Sequence, residues 1–358
     1  MTRPPTAGRE PRRPNRAGTP RKAPARTSAI GRLRTTLREA APVCHDAVVD
    51  PTRRDRPLPP LVVICGATAT GKTALSIRLA LAMGETEIVS ADSRQVYRGM
   101  DIGTAKATRA ERNAVPHHGL DLVVPDEPFS VSAYQRHALA ALTAIRGRRR
   151  HAFLVGGTGL YLRAVARGLD LQDGPSDPGL RAALEADLTE HGLPALAARL
   201  RDRAPNLAAR TDLANPRRVV RALEIATLAG DRLPPPPRGY PAPVLWVGLR
   251  LPPETHRTRI ANRAAQQFSG GLLVEAARLK KRYPPELPAF TAFGYGEAFA
   301  VLDRRQSQDE ALEQTIGRTR AYARRQLTWF RAEPGVHWID AASDPLPAAL
   351  AMAREFLR

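Results

Sequence analysis

Residues 66–73 read Gly66-Ala67-Thr68-Ala69-Thr70-Gly71-Lys72-Thr73, the spacing G-x-x-x-x-G-K-[ST] of a loop that binds phosphate. Successive backbone N–H groups of such a loop converge on phosphate oxygens, and the helix that follows adds positive potential at its N-terminus. Lys72 supplies a full charge, and the Thr73 hydroxyl can reach a Mg²⁺ ion. All eight residues are candidates for holding a diphosphate or a nucleotide, with Lys72 and Thr73 also candidates for chemistry. The context supports this reading. The apolar run Leu61–Cys65 precedes the loop as a buried parallel strand would, and Ala74–Met83 follows with helical spacing.

The motif specifies phosphate without saying which. An ordinary NTPase carries a metal-binding Asp at the end of a later apolar strand. Here Ala152–Val155 is the best later strand, and it runs into Gly156-Gly157-Thr158-Gly159 with no acid. The acid comes earlier, where Glu87–Ser90 reads as the second strand and Asp92 follows its carboxyl end. Ligands of open α/β sheets bind at that edge. By position alone Asp92 is either a site carboxylate or a solvated turn residue. The arrangement disfavours a motor or switch NTPase; a small-molecule kinase using ATP and a nucleic-acid-binding protein with a degenerate phosphate loop stand as alternatives.

The elements that must position these residues occupy about two domains' worth of chain. The 358 residues hold 55 Lys plus Arg against 35 Asp plus Glu, a formal charge of +20. Such an excess points to a polyanion, RNA or DNA first, or to an arginine-rich composition without a special partner. Residues 1–57 are basic, Pro-rich and poor in aromatics, which predicts a disordered extension, either a nucleic-acid tether or an inert tail. The fold is expected to begin at Leu58. Cys44 and Cys65 make neither a disulfide framework nor a metal-ligand spacing, and no apolar run is long enough for a membrane span, so a cytoplasmic protein is expected. His117-His118 lacks a third ligand at a metal-site spacing and reads as structural.

Two helical segments carry arginines at useful spacings. Asn215 suits an N-cap and Pro216 the first helical position, with a run to Gly230. Arg217 and Arg221 then share a face, which by itself is a solvated face as readily as a phosphate grip. In the stretch from about Asp309 to Arg331, a 3.6-residue turn brings Arg318, Tyr322, Arg325 and Trp329 onto one face, while Arg320, Arg324 and Arg331 form another cluster. Arginines alternating with aromatics suit RNA, or else core aromatics with arginines snorkelling round them.

The block Ser90-Ala-Asp92-Ser93-Arg94-Gln95-Val-Tyr97, continuing through Asp101-Ile-Gly103-Thr104-Ala-Lys106, resembles the signature of the tRNA dimethylallyltransferases. The likeness continues in Val155-Gly-Gly-Thr158-Gly-Leu-Tyr161, Asn215-Pro-Arg217-Arg218-Val-Val-Arg221, Gly294-Tyr295-Gly-Glu297 and Thr319–Arg331, in the family's order over about residues 60–340. Ala67 and Ala107 stand where the family usually has Pro. The resemblance implies a P-loop NTPase-like three-layer α/β core with a parallel sheet, an inserted helical domain and C-terminal helices. Its expected segments are 58–174 (first part of the core), 175–240 (insertion), 241–340 (core completion and RNA-binding helices) and 341–358 (a tail). It implies transfer of a dimethylallyl group from dimethylallyl diphosphate to N6 of the adenosine 3′ of the anticodon, with Mg²⁺. The implied partner is the tRNA anticodon stem-loop, with no membrane or obligate protein partner and a monomeric chain. Asp92 would be the general base, and Thr104 the catalytic threonine. Implied tRNA contacts are Asp92, Ser93, Arg94, Gln95, Thr158, Arg181, Arg217, Arg218, Arg221, Arg324, Arg325, Gln326, Trp329 and Arg331.

Overall fold

A strand that is apolar on both faces must be covered on both, and the first strand, β1 (Leu61–Gly66), has all six residues buried. It is central in a six-stranded parallel sheet, between β4 (His151–Gly156) and β5 (Val244–Arg250). With β2 (Thr86–Ser90), β3 (His117–His118) and β6 (Val336–Asp340) the order is β3-β2-β4-β1-β5-β6. These features come from a computed structural model that describes residues 58–171, 175–233 and 236–358; the expected extension 1–57 lies outside the described residues.

Alternate side chains along the strands feed two core layers. On one face Val62, Ile64, Phe153 and Val247 meet Leu75 and Leu79 of α1 (Lys72–Met83) and Ala349 and Ala353 of α12 (Leu346–Phe356). On the other, Leu61, Val63, Leu154 and Trp246 meet residues of α3 (Val131–Gly147), α4 (Gly159–Ala166) and α11 (Gln308–Arg331), among them Tyr134, Leu142, Leu162 and Phe330. The result is the three-layer α/β core expected from the sequence. Helix α2 (Arg109–Ala114) precedes β3, and α8 (Pro253–Ser269), α9 (Leu272–Lys280) and α10 (Tyr295–Leu302) separate β5 from α11.

Between α4 and β5 lie α5 (Pro178–Arg203), α6 (Pro205–Arg210) and α7 (Pro216–Ala229). They build a core of their own from Leu184, Leu196, Leu200, Val219 and Leu223. Gly192, at φ 78°, breaks α5 just before Pro194. Helix α7 starts and stops where local rules put it: the Asn215 side chain accepts from the Arg218 N–H, Pro216 leads, and Gly230 follows the last residue at φ 76°.

Residues 341–358 are not a tail. Leu346, Ala349, Leu350 and Ala353 recur at helical spacing, and α12 lays that stripe against the outer layer beside α1. Truncation after Ala342 should therefore expose this layer and destabilise the chain by roughly 3 kcal/mol or more. A urea unfolding midpoint equal to that of the full chain would refute that role.

Candidate active site

The phosphate loop between β1 and α1 takes a shape that few residues tolerate. Gly66 has φ 141° and Gly71 φ 96°, and a Cβ on Gly66 would lie 2.6 Å from the Leu249 carbonyl oxygen. Within the loop the Ala67 carbonyl accepts from Thr70 Oγ1 (2.9 Å) and from Lys72 Nζ (2.7 Å). Helix α1 begins at Gly71 without a side-chain cap or an acidic residue in its first turn, which leaves its N–H groups suited to an anion.

Close backbone approach brings Asp92 to this loop. Ala91 donates to the Val155 carbonyl (2.7 Å) and accepts from the Thr158 N–H (3.2 Å). A Cβ on Gly156 would meet the Ala91 oxygen at 2.1 Å, so glycine is required there. The Asp92 carboxylate accepts from the Arg94 N–H (2.8 Å) and lines the cleft above the loop.

Helix α8 closes the cleft from the opposite side. His256 Nε2 lies 2.8 Å from the Thr68 carbonyl oxygen, and Arg263 donates to Thr68 Oγ1 at 2.9 Å. Sequence reasoning missed both residues. Their spacing with Arg259 and Gln267 (i, i+3, i+7, i+11) puts four polar side chains on one helical face and was the available signal. The main cleft encloses about 640 Å³, with Lys72, Thr73, Asp92, Thr104, Arg263 and Tyr322 in its wall. A second cavity of about 290 Å³, reaching Thr291, Phe293 and Thr319, shares Thr68, Asp92, Thr104, Arg263 and Tyr322 with it. The two spaces therefore meet at Asp92, Thr104, Arg263 and Tyr322.

The electrostatics of the cleft favour an anion. Burial, then the neighbouring Arg263 charge, brings the Lys72 ammonium down to about 8, against the pull of Asp92. Burial also lowers Arg263. Two poorly hydrated cations thus face one carboxylate, an imbalance that a polyanion would relieve. Burial pushes the Tyr322 hydroxyl up to about 12, so it is a neutral donor at physiological pH. The Cys65 thiol beneath the loop is raised to about 12 in the same way and stays protonated.

The expected site residues fall into three groups. Asp92, Thr104, Lys72 and Thr73 converge on the cleft, with Ser93 and Arg94 on the second cavity. The Thr104 hydroxyl donates to the Met100 carbonyl at 2.6 Å, so its lone pairs rather than its proton are available. A second group has its polar or aromatic groups engaged with other parts of the protein. Gln326 is largely buried in the cleft wall, accepting from the Thr68 N–H (2.8 Å) and donating to the Gly157 carbonyl (2.7 Å), and so braces the loop from within the site. Gln95 donates to the carbonyls of Thr104 and Ala105, and Thr158 Oγ1 accepts from the Ser93 N–H. Trp329 packs so closely on Gly159 that a Cβ there would come within 2.5 Å of the indole, and Arg163 covers the ring at 4.4 Å. Arg181 and Arg221 both bind Glu224, whose side chain is fully buried. The third group is exposed: Arg217, Arg218, Arg324, Arg325 and Arg331, with Arg218 3.5 Å from Asp212 and Arg325 over the Tyr322 ring.

Among the described residues no group of three or more His, Cys, Asp or Glu forms a metal cage. The fit for Mg²⁺ is of another kind: a loop hydroxyl from Thr73 beside a phosphate cradle, where phosphate oxygens and waters complete the octahedron.

Residues 95–333 match the family model described as IPP transferase, and residues 59–117 match that of isopentenyl transferase. A tRNA dimethylallyltransferase of Roseiflexus sp. (strain RS-1) is 46% identical over 306 residues, which is 83% of this chain and 99% of that relative. One from Thermomicrobium roseum is 44% identical over 285 residues, 78% of this chain and 86% of its own length. Among solved structures, the full-length tRNA isopentenylpyrophosphate transferase from Bacillus halodurans superposes with a TM-score of 0.63 at 39% identity, covering 83% of this chain and 96% of that one.

Two outcomes follow from the site. Diphosphate favours the charged form of Lys72, and the empty cleft loses that proton as pH rises through about 8. The Kd of inorganic diphosphate should therefore weaken above that pH, by up to about tenfold per unit. Calorimetric titration would show it, with Lys72→Met reporting the ligand's own ionisation; parallel pH profiles would contradict it. Second, Arg181→Ala with Arg221→Ala leaves the buried Glu224 without either guanidinium and should cost about 3 kcal/mol of stability. Arg217→Ala should cost less than about 0.5 kcal/mol. Chemical unfolding of the two variants would separate a structural pair from an exposed one.

Proposed function

The chain belongs to the IPP transferase family, the tRNA dimethylallyltransferases, and we propose that it transfers a dimethylallyl group from dimethylallyl diphosphate to N6 of the adenosine immediately 3′ of the anticodon. The observation that carries this reading is the meeting of two cavities at Asp92, one floored by the phosphate loop and one reaching Phe293 and Thr319. A donor and an acceptor can enter such a site separately and react where the spaces join. The kinase alternative finds no support among the relatives.

In the reaction the C1–O bond to diphosphate breaks, a bond from N6 to C1 forms, and one N6 proton leaves. The exocyclic amine is a weak nucleophile because its lone pair is delocalised into the ring. Asp92, at the junction, accepts the N6 proton and so improves it. Lys72, the loop N–H groups and Arg263 meet the charge that develops on the leaving diphosphate. Thr73 would hold Mg²⁺ beside that group, where the ion supplies Lewis-acid stabilisation. Thr104 faces the same junction with its lone pairs, suited to an N–H or a cation.

N6 of a stacked base is out of reach, so the adenine must be extruded, which costs roughly a few kcal/mol and least in an unpaired loop. Contacts elsewhere on the RNA offset it, and the exposed Arg217, Arg218, Arg324, Arg325 and Arg331 suit phosphates. We place the enzyme in the cytoplasm with a tRNA anticodon stem-loop as its macromolecular partner; among the described residues no helix is long and apolar enough to cross a membrane.

The test is transfer of label from dimethylallyl diphosphate to unmodified tRNA. Asp92→Ala should lower turnover by about 100-fold with tRNA affinity nearly unchanged. A loss below about tenfold would remove Asp92 as the base, and phosphate transfer from ATP in place of prenyl transfer would overturn the function.

A further inference from the structure

The loop that carries Thr104 is held from behind by a single buried carboxylate. Glu275 of α9 accepts from three consecutive N–H groups, those of Asp101 (3.0 Å), Ile102 (2.9 Å) and Gly103 (3.1 Å). Convergent N–H groups of this kind form an anion-binding nest, and here the anion is part of the chain. Tyr295 Oη donates to the same carboxylate at 2.7 Å. Its ring lies so near that a Cβ on Gly103 would come within 2.4 Å of it.

The other polar groups of the loop are fixed as well. Gln267, on the α8 face that presents Arg263, donates to the carbonyls of Ile102 (2.9 Å) and Gly103 (2.8 Å). Gln95 holds the carbonyls of Thr104 and Ala105, and Ala105 adopts φ 47°, a left-handed conformation that a non-glycine residue keeps only under constraint. Glu275 itself lines neither cavity at the junction. Such a density of bonds exceeds what an ordinary turn needs.

We propose that Glu275, with Tyr295 bonded to it, is a positioning residue for the prenyl transfer: it sets the place of Thr104 at the junction without touching substrate. The inference rests on the reading of Thr104 as a participant in the reaction. Glu275→Gln keeps the volume but turns one oxygen into an NH₂ donor facing backbone donors, so the nest opens. Because neither Glu275 nor residues 101–103 line the cleft that holds Lys72 and Thr73, donor binding should survive while the chemical step suffers.

The experiment measures kcat and KM for both substrates, with unfolding midpoints, in Glu275→Gln, Tyr295→Phe, Thr104→Ala and the double variant Thr104→Ala with Glu275→Gln. Glu275→Gln should lower kcat by about tenfold or more, with KM for dimethylallyl diphosphate within about twofold. Tyr295→Phe should give a smaller loss of the same kind and decides the matter if Glu275→Gln does not fold. In the Thr104→Ala background the Glu275 change should cost nothing further in kcat, because coupled residues are non-additive. Losses that multiply, or parental kcat in Glu275→Gln and Tyr295→Phe while Thr104→Ala is impaired, would overturn the positioning role. Parental kcat in Thr104→Ala would overturn the reading of Thr104 and this inference with it.

Discussion

Every polar backbone or side-chain group of Thr68 is bonded to an element far away in the chain. Its N–H goes to Gln326 of α11, its hydroxyl oxygen accepts from Arg263 of α8, and its carbonyl meets His256 of the same helix. A phosphate loop is by nature a stretch of backbone with unsatisfied donors, and without support it would be soft. Here α8 and α11 pin it at one residue, and both helices also contribute side chains to the cleft wall. The loop, the cations and the second cavity therefore depend on α8 and α11 being docked on the sheet.

The charge of the chain is less available than its total implies. Buried carboxylates consume many arginines: Glu224 takes Arg181 and Arg221, Glu333 takes Arg163 and Arg167, Glu87 takes Arg148, and Glu297 takes Arg318. Each carboxylate sits where water cannot hydrate it, so a guanidinium with several donors is the economical partner. Most of these pairs tie separate elements of the fold to one another, and the remaining exposed charge includes Arg217, Arg218, Arg324, Arg325 and Arg331. The aromatic residues divide in the same way, with Trp329 committed to packing on Gly159 and Tyr322 turned to the cleft.

Local rules made much of this protein legible in its sequence. The glycines and Lys72 of the phosphate loop, the all-apolar β1, the N-cap and stop of α7, and Asp92 at the carboxyl end of β2 each depend on a few neighbouring residues, and each stands where the pattern puts it. Only the tertiary structure decided what depends on partners hundreds of positions away. It made Gln326 a brace of the phosphate loop within the cleft wall, gave Arg181 and Arg221 to Glu224, brought Arg263 and His256 to the loop, set Glu275 behind Thr104, and packed residues 346–356 of an expected tail against the core. The physical reason is that an arginine, a glutamine or a short amphipathic stretch has the same local preferences whether it meets water, RNA or a buried carboxylate. What it meets is fixed by the packing of the sheet and helices around it.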